Sequence, residues 1–308
     1  MKKIINFKSS DNKTDIHVVY YIPDGEIKMI LQISHGMAEF FERYEKFALY
    51  LNERGILVVG NDHLGHGYSI NSKDDYGHQD SKDGYLNILS DLHTVMEMTK
   101  KEYPGIPYYF MGHSMGSFYT RLFISKYSKD LDGVIIMGTA FMSNVVVNSG
   151  ILLCNILLLF KDKRYRSKLI TSIATGSYNK KWEPSATHND WLTKDEKIVD
   201  WYSNEERCTF TFTLYGYLNM FKTLREIHTD KCVNGIRRDL PLLIVSGDDD
   251  PVGDYGKGPK KLYEVYREKG FKDVELKLYE NDRHEILNEL DKEDVYEYLY
   301  QWLIKQHR

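Results

Sequence analysis

A serine lies between two glycines where a strand pattern gives way to helical spacing. The motif is Gly-His-Ser-Met-Gly at 112–116, directly after the apolar run 108–111. A G-x-S-x-G nucleophile elbow requires this strand–turn–helix context, because the turn is so sharp that only glycine fits on either side of the serine. Such a turn exposes the Ser114 hydroxyl and directs the Met115 amide to the same point. The motif therefore predicts Ser114 as a nucleophile and the Met115 N–H as an oxyanion-hole donor.

A serine nucleophile needs a base, and the base needs an orienting carboxylate. Around an elbow of this type the three residues follow in the order Ser, Asp, His along the chain. Of the eleven histidines, only His284 and His307 follow the strand pattern at 242–246. His307 is the penultimate residue, whereas His284 lies in a polar loop after the strand pattern 274–279. His284 is therefore the predicted base.

Three consecutive aspartates, Asp248, Asp249 and Asp250, follow the strand pattern at 242–246. Like charges a few ångströms apart destabilise one another, so all three cannot be buried and paired. Asp250 stands directly before Pro251, which fixes the turn, and we predict it as the acid of the triad. Asp248 and Asp249 remain alternatives.

A second oxyanion donor is expected from the loop after an earlier strand of the sheet. The segment 34–39 follows the strand pattern that ends at Ile33, and Gly36 allows the backbone to turn there. This turn would bring the Met37 N–H to face Ser114. We therefore predict that Met37 and Met115 form the oxyanion hole.

Strand and helix patterns alternate along most of the chain. Strands are predicted at 16–22, 29–33, 56–59, 108–111, 134–137, 241–245 and 274–279, and helices at 39–53, 84–101, 115–127, 259–269 and 291–305. This alternation predicts an α/β fold with a mostly parallel, doubly wound sheet. The alternation stops between 141 and 236, which reads as a mainly helical insertion. We expect residues 1–140 and 237–308 to form the core and 141–236 to form a helical cap.

The insertion begins with an apolar segment that has no charged residue from 141 to 160. Because Asn144, Asn148 and Asn155 interrupt it, a transmembrane helix is disfavoured. We expect the segment to wall an acyl-chain site above Ser114, with the following candidate contacts: Leu153, Leu157 and Phe160. The alternative is a helix buried wholly within the cap.

Composition excludes several functional classes. The 308 residues contain 41 Lys and Arg against 45 Asp and Glu, so no basic field exists to bind nucleic acid. Three scattered cysteines give neither a disulfide framework nor paired zinc spacing, and the N-terminal apolar run is too short for a signal peptide. A cytoplasmic protein is expected, with contact between the cap and a membrane surface as an open alternative.

No cofactor or metal is expected. Asp62, His63 and His66 could be interpreted as a metal cluster, but the glycines between them indicate a turn and no further ligand is close in sequence. A serine hydrolase that works through an acyl-enzyme needs neither group.

A wider set of residues resembles the monoacylglycerol lipase and lysophospholipase branch of the α/β hydrolases. The set consists of the elbow at 112–116 together with His35-Gly36, Glu39, Arg43-Tyr44, Asp62, Gly65-His66-Gly67 and Ser69. The resemblance covers nearly the whole chain, and it implies Ser114, His284 and Asp250, the last in a Gly-x-x-Asp pattern from Gly247, as the triad. It also implies the amides of Met37 and Met115 as the oxyanion hole. Ser117 departs from the family pattern, which usually has glycine there.

The expected function is hydrolysis of carboxylic esters of single-chain lipids. Two alternatives remain open. An aminopeptidase of the proline iminopeptidase type would need acidic cap residues to hold a substrate ammonium, and Glu183, Asp190, Glu205 and Glu206 are the candidates. A non-enzymatic binding protein on a hydrolase fold is the other.

Overall fold

A computed structural model describes residues 1–184 and 187–307. Its centre is one eight-stranded sheet in the spatial order β1-β2-β4-β3-β5-β6-β7-β8. The strands are β1 Lys2–Lys8, β2 Asp15–Tyr21, β3 Met29–Ser34, β4 Ile56–Asn61, β5 Tyr108–His113, β6 Gly133–Met137, β7 Leu242–Gly247 and β8 Val274–Tyr279. The pairings of β1 with β2 and of β2 with β4 are antiparallel, and all the others are parallel. The prediction of a mostly parallel α/β sheet is confirmed.

Helices cover both faces of the sheet. They are α1 Glu45–Asn52, α2 Gly84–Glu102, α3 Met115–Tyr127, α4 Asn144–Leu157, α5 Lys168–Thr175, α6 Glu196–Asn204, α7 Leu214–Ile227, α8 Asp230–Asn234, α9 Lys257–Glu268 and α10 Lys292–Gln306. One apolar core joins the sheet to α1 and α10, and the other joins it to α2, α3 and α9. Strands β3, β4, β5 and β7 are consequently buried along their whole length, which explains their continuous apolar sequences.

Strand β1 was not predicted from the sequence. Its side chains alternate between exposed and half-buried, so that Ile5 and Phe7 pack on the core while their neighbours face solvent. The strand forms the edge of the sheet and begins with two lysines. An edge strand with a lysine at each end and only one side half-buried has a weak apolar pattern, which explains why sequence analysis overlooked it.

Five helices, α4 to α8, occupy the chain between β6 and β7. They are not separate from the core, because Leu218, Phe221 and Leu224 of α7 belong to the same apolar cluster as residues of α2 and α3. The apolar segment of the insertion forms α4, which packs on α7 through Val147 and Ile151. Within residues 1–184 and 187–307, no helix has both the length and the apolar character needed to cross a bilayer.

A very close backbone contact joins α3 to the end of β3. A Cβ atom on Gly116 would lie 2.0 Å from the carbonyl oxygen of Ser34, which is far inside van der Waals contact. Since both groups are backbone, neither can rotate away. Helix α3 can therefore begin at this position only when residue 116 has no side chain.

We predict that Gly116→Ala lowers the free energy of unfolding by at least about 3 kcal/mol, because the new methyl group forces the β3–α3 contact apart. Urea unfolding followed by circular dichroism measures the change. Gly25→Ala is the control, since a Cβ there meets nothing within 4 Å. A change below about 0.5 kcal/mol for Gly116→Ala would contradict the packing argument.

Candidate active site

Ser114 lies at the junction of β5 and α3 in a backbone conformation that few non-glycine residues adopt, with φ 54° and ψ −122°. Its N–H donates to the Met137 carbonyl at 3.0 Å, and its own carbonyl accepts from the Ser117 N–H and hydroxyl at 2.8 and 2.6 Å. A Cβ on Gly112 would lie 2.0 Å from Thr120 Oγ1. These hydrogen bonds and close contacts hold the backbone in a strained turn, as a nucleophile elbow requires.

The same contacts explain Ser117, which stands where the resembled family has glycine. Its side chain is fully buried, and its hydroxyl donates to the Ser114 carbonyl rather than pressing on a neighbouring strand. The residue thus adds a hydrogen bond to the elbow without disturbing it.

His284 and Asp250 form a buried pair at the carboxyl ends of β8 and β7. The distance from His284 Nδ1 to Asp250 Oδ1 is 2.9 Å, and the side chains are 2% and 0% exposed. Because a carboxylate oxygen only accepts, Nδ1 carries the hydrogen, and Nε2 is left as the acceptor that a general base needs.

The environment of Asp250 favours its charged form. Burial raises the pKa of its carboxyl, but the charge and hydrogen bond of His284 and the Val252 N–H at 2.8 Å outweigh burial and lower the pKa below its usual value. The Ser246 hydroxyl is 3.2 Å from Oδ2. The carboxylate is therefore ionised and fixed in position.

The structure separates the three consecutive aspartates. Asp249 forms an ion pair with Lys181, and Asp248 accepts the Asn281 N–H at 2.7 Å. Asp250 is the member of the triplet that contacts His284. The other two therefore stabilise the surrounding loops.

Met37 and Met115, whose amides are the predicted oxyanion donors, line the same cavity as Ser114. The Met115 N–H belongs to the first turn of α3 and has no carbonyl one turn behind it in the helix. Gly36 approaches the elbow closely, since a Cβ there would lie 3.1 Å from the Ser114 Cβ. Such an arrangement suits an oxyanion hole.

Sequence analysis missed a buried network of charges beneath the site. Arg43 donates to both Glu285 oxygens at 2.7 Å and to Glu39 at 2.8 Å. The Glu39 carboxylate also accepts from the Gly36 N–H and the Tyr44 hydroxyl. The signal in the sequence was Glu285, the acidic residue directly after His284, but its partner Arg43 lies 242 residues away along the chain. The network ties the loop after β3 to the loop after β8.

Ser114 and His284 open into a cavity of about 570 Å³. Its apolar wall comes from α3, α7 and the loop after β6, and contains Phe118, Ala140, Met142, Met220, Phe221 and Leu224. Its polar wall comes from residues 171–184 and 187–191 and contains Thr171, Asn179, Glu183, His188 and Asn189, with Ala174 as an apolar member of the same stretch. The volume lies in the range of small-molecule sites.

The predicted acyl wall at 145–160 needs correction. Leu153, Leu157 and Phe160 are absent from the residues that line the cavity. Leu153 and Leu157 pack at the margin of the core, and Phe160 is 78% exposed. Helix α4 lies one layer further out, behind α7. Although Asn144, Asn148 and Asn155 fall on one face of α4, this pattern does not reveal which helix faces the nucleophile.

Asp62, His63 and His66 do not converge as metal ligands. The Asp62 carboxylate accepts the N–H groups of Phe41 and Tyr68, and His63 Nε2 lies 3.0 Å from Ser34 Oγ. These bonds fix the loops around β3 and β4.

One group with metal-ligand spacing in the described part of the chain is Asp282, Glu289 and Asp291. The Lys194 ammonium lies 2.6 Å from Asp282 and 3.8 Å from Glu289, and so already supplies a positive charge.

We predict that Asp250→Asn lowers kcat by up to about 10⁴-fold and leaves the fold intact, because the imidazole loses the anion that fixes its tautomer. Hydrolysis of a short aryl ester measures the loss. Asp248→Asn and Asp249→Asn are matched controls that stay within a few-fold of wild type. A comparable loss of kcat in either control would show that the substituted aspartate, and not Asp250, is the acid of the triad.

The family model described as serine aminopeptidase, S33, matches residues 25–291. Monoglyceride lipase of Rattus norvegicus is 23% identical over 272 residues, which cover 88% of this chain and 80% of the relative. Monoacylglycerol lipase of Mycolicibacterium smegmatis is 23% identical over 314 residues, with 94% and 93% covered.

Solved structures are similar over the full length. A carboxyl esterase from Bacillus coagulans superimposes with a TM-score of 0.92 at 26% identity, covering 100% of this chain and 99% of the other. The monoglyceride lipase of Saccharomyces cerevisiae gives 0.76 at 17% identity, covering 99% and 97%. The fold is that of the α/β hydrolases. Since the family match spans most of the sequence, the chain belongs to the serine aminopeptidase S33 family of α/β hydrolases.

Proposed function

We propose that this protein is a serine hydrolase that cleaves carboxylic esters of single-chain lipids, as a monoacylglycerol lipase does. The observation that carries the proposal is the cavity at Ser114, whose lining divides into a group of apolar side chains and a group of polar ones. A single acyl chain with a small polar head group has the same division. The relatives named monoglyceride lipase support this substrate class.

In the proposed reaction, Ser114 attacks the ester carbonyl while His284 Nε2 takes its proton. Asp250 keeps the other ring nitrogen protonated and stabilises the imidazolium that forms. The amides of Met37 and Met115 bind the tetrahedral oxyanion, and His284 returns the proton to the leaving alcohol. Water then repeats the attack on the acyl-enzyme.

The segment 141–236 is the proposed cap over this site. It supplies α7 to the apolar wall and residues 171–184 and 187–191 to the polar wall, so both parts of the substrate would meet it. We propose that the acyl chain lies along Met220, Phe221 and Leu224 of α7 and reaches Ala174 of α5, which packs on the same apolar core. The head group then faces Asn179 and Asn189.

An aminopeptidase is less well supported. Of its four candidate acids, Glu205 pairs with Arg207 and Glu206 with Lys73, while Asp190 accepts hydrogen bonds from Thr187. Glu183 lines the cavity, but it is exposed to solvent. A substrate ammonium is bound firmly by a desolvated carboxylate, and Glu183 is hydrated.

A substrate panel tests the function: monoacylglycerols, lysophospholipids, aryl esters and aminoacyl amides, each with wild type and Ser114→Ala. We expect turnover of the esters, none of the amides, and loss of all turnover in Ser114→Ala. Preferential cleavage of aminoacyl amides would establish the peptidase. Activity that survives in Ser114→Ala would show that Ser114 is not the nucleophile. A wild-type protein that cleaves none of these substrates would favour the alternative of a binding protein.

The position of the chain can be tested within the same series. Ala174 lines the cavity, and Ala174→Phe should fill part of it, raising KM about 100-fold for long-chain esters while butyryl esters are little affected. Each methylene of the substrate that is left outside the cavity loses about 0.8 kcal/mol of binding free energy, which raises KM roughly four-fold. Ile173→Phe is the control, since Ile173 is 56% exposed on the same helix. Equal losses on short and long esters would contradict the proposed chain site.

We propose that the outer face of the insertion contacts a membrane surface. Large apolar side chains of α4, α5 and the segment between them are exposed there: Val145, Leu152, Leu159, Phe160, Leu169 and Ile173. Soluble proteins seldom expose so much apolar surface in one region without a partner. A bilayer is also where single-chain lipids are concentrated, and an amphipathic face binds it without spanning it.

Sedimentation with phosphatidylcholine and phosphatidylglycerol vesicles measures this contact. The double variant Leu159→Asp, Phe160→Asp should lose at least about ten-fold in vesicle binding, because each charge must stay in water, and should retain activity on soluble aryl esters. Leu290→Asp is the control, because Leu290 is 64% exposed elsewhere on the molecule. Equal sedimentation of all three proteins would contradict the proposal.

A further inference from the structure

His113, the second residue of the elbow motif, has no role in the reaction described above. It is 4% exposed, and both of its ring nitrogens have partners. Nδ1 lies 3.2 Å from Glu39 Oε1, and Nε2 lies 3.2 Å from the backbone carbonyl oxygen of His284. The ring thus connects the loop after β3 with the loop that carries the proposed base.

The two partners restrict the protonation of this ring. A carbonyl oxygen is only an acceptor, so Nε2 must carry a hydrogen. The Glu39 carboxylate already accepts hydrogen bonds from Arg43, Tyr44 and the Gly36 N–H, so it is ionised and Nδ1 must donate to it as well. A neutral imidazole has one hydrogen on its nitrogens, whereas this geometry needs two.

The charge balance of the buried cluster leads to the same result. Arg43, Glu39 and Glu285 are each at most 4% exposed in their side chains, and together they bear a net charge of minus one. A proton on His113 makes the cluster neutral. An uncompensated charge at this depth is costly, so the neutral arrangement is favoured.

We infer that His113 is an imidazolium in the native protein and that it acts as a positioning residue, holding His284 through its backbone while Glu39 holds the oxyanion loop. The positioning role rests on the proposed ester hydrolase function, whereas the positive charge of His113 does not. Glu285, the residue after His284, is clamped by Arg43 in the same way.

The electrostatic surroundings support this assignment. The groups that face His113 are His35, Glu39, Arg43 and Tyr44 from the segment after β3, Asp250 after β7, and His284 and Glu285 after β8. Burial lowers the pKa of His113, but the hydrogen bond and charge of Glu39 and the charge of Glu285 outweigh it, and the pKa is raised above its usual value. The proton is therefore held below this raised pKa and lost only as the pH rises through it.

The protonation state can be measured without substrate. In long-range ¹⁵N–¹H spectra of histidine-labelled protein at about pH 7.5, two protonated ring nitrogens are expected for His113, where a free histidine is mostly neutral. Glu39→Gln should convert the ring to a single tautomer with hydrogen on Nε2. Tyr44→Phe, the control, removes a neutral donor from the same carboxylate oxygen and should leave the imidazolium unchanged.

The positioning role has its own measurement, on a short aryl ester. His113→Gln should lower kcat about 10- to 100-fold with KM within about two-fold of wild type, since the base is misplaced while the residues proposed to hold the acyl chain and the head group are unchanged. The rising limb of the kcat/KM pH profile should also move to higher pH. The ring centroids of His113 and His284 are 4.6 Å apart, so a positive charge on His113 disfavours a second positive charge on His284. His113→Gln removes this repulsion.

One bare ring nitrogen on His113 in the wild type would overturn the inference, and this result does not depend on whether any variant folds. If His113→Gln left the kcat/KM pH profile unshifted and raised KM, His113 would contribute only packing and would not position His284. Neither result bears on the ester hydrolase proposal, which the Ser114→Ala substrate panel decides separately.

Discussion

The strained turn at Ser114 is the constraint on which the rest of the site depends. A side chain at φ 54° is held there because Ser114 is the one residue between β5 and α3 and because Gly116 lies against the Ser34 carbonyl. That contact also fixes where the loop after β3 begins, and Gly36 follows within two residues of it. The positions of the proposed nucleophile and of the proposed second oxyanion donor are thus set by one packing contact between backbone groups.

Around this turn, the carboxyl ends of parallel strands bring together groups that are far apart in sequence. Asp250 follows β7, His284 follows β8 and Ser114 follows β5, so three loops at one edge of the sheet supply the proposed triad. Loops alone would leave these side chains free to move. Buried bonds between loops restrict them instead, and the strongest of these bonds are the bidentate contacts of Arg43 with Glu285.

Most of the sheet could be predicted from the sequence, because buried parallel strands and amphipathic helices have distinct periods. The triad order and the glycines of the elbow gave the candidate residues, since their chemistry depends on local spacing. Two features could not be predicted. The helix facing Ser114 is α7 rather than α4, and the apolar pattern of 145–160 does not reveal which element of the fold lies against that segment. The Glu39–His113 contact joins residues 74 positions apart, which a single sequence does not reveal.

The insertion is bonded to the proposed base as well as to the substrate cavity. The amides of His284 and Glu285 donate to the carbonyls of Trp191 and Leu192 at 3.4 and 2.7 Å, and the Tyr202 hydroxyl donates to the Ala38 carbonyl at 2.9 Å. If the whole insertion moved as one body, it would break these bonds and displace His284. Any opening that keeps the base in place must therefore leave the bonded residues Trp191, Leu192 and Tyr202 in position.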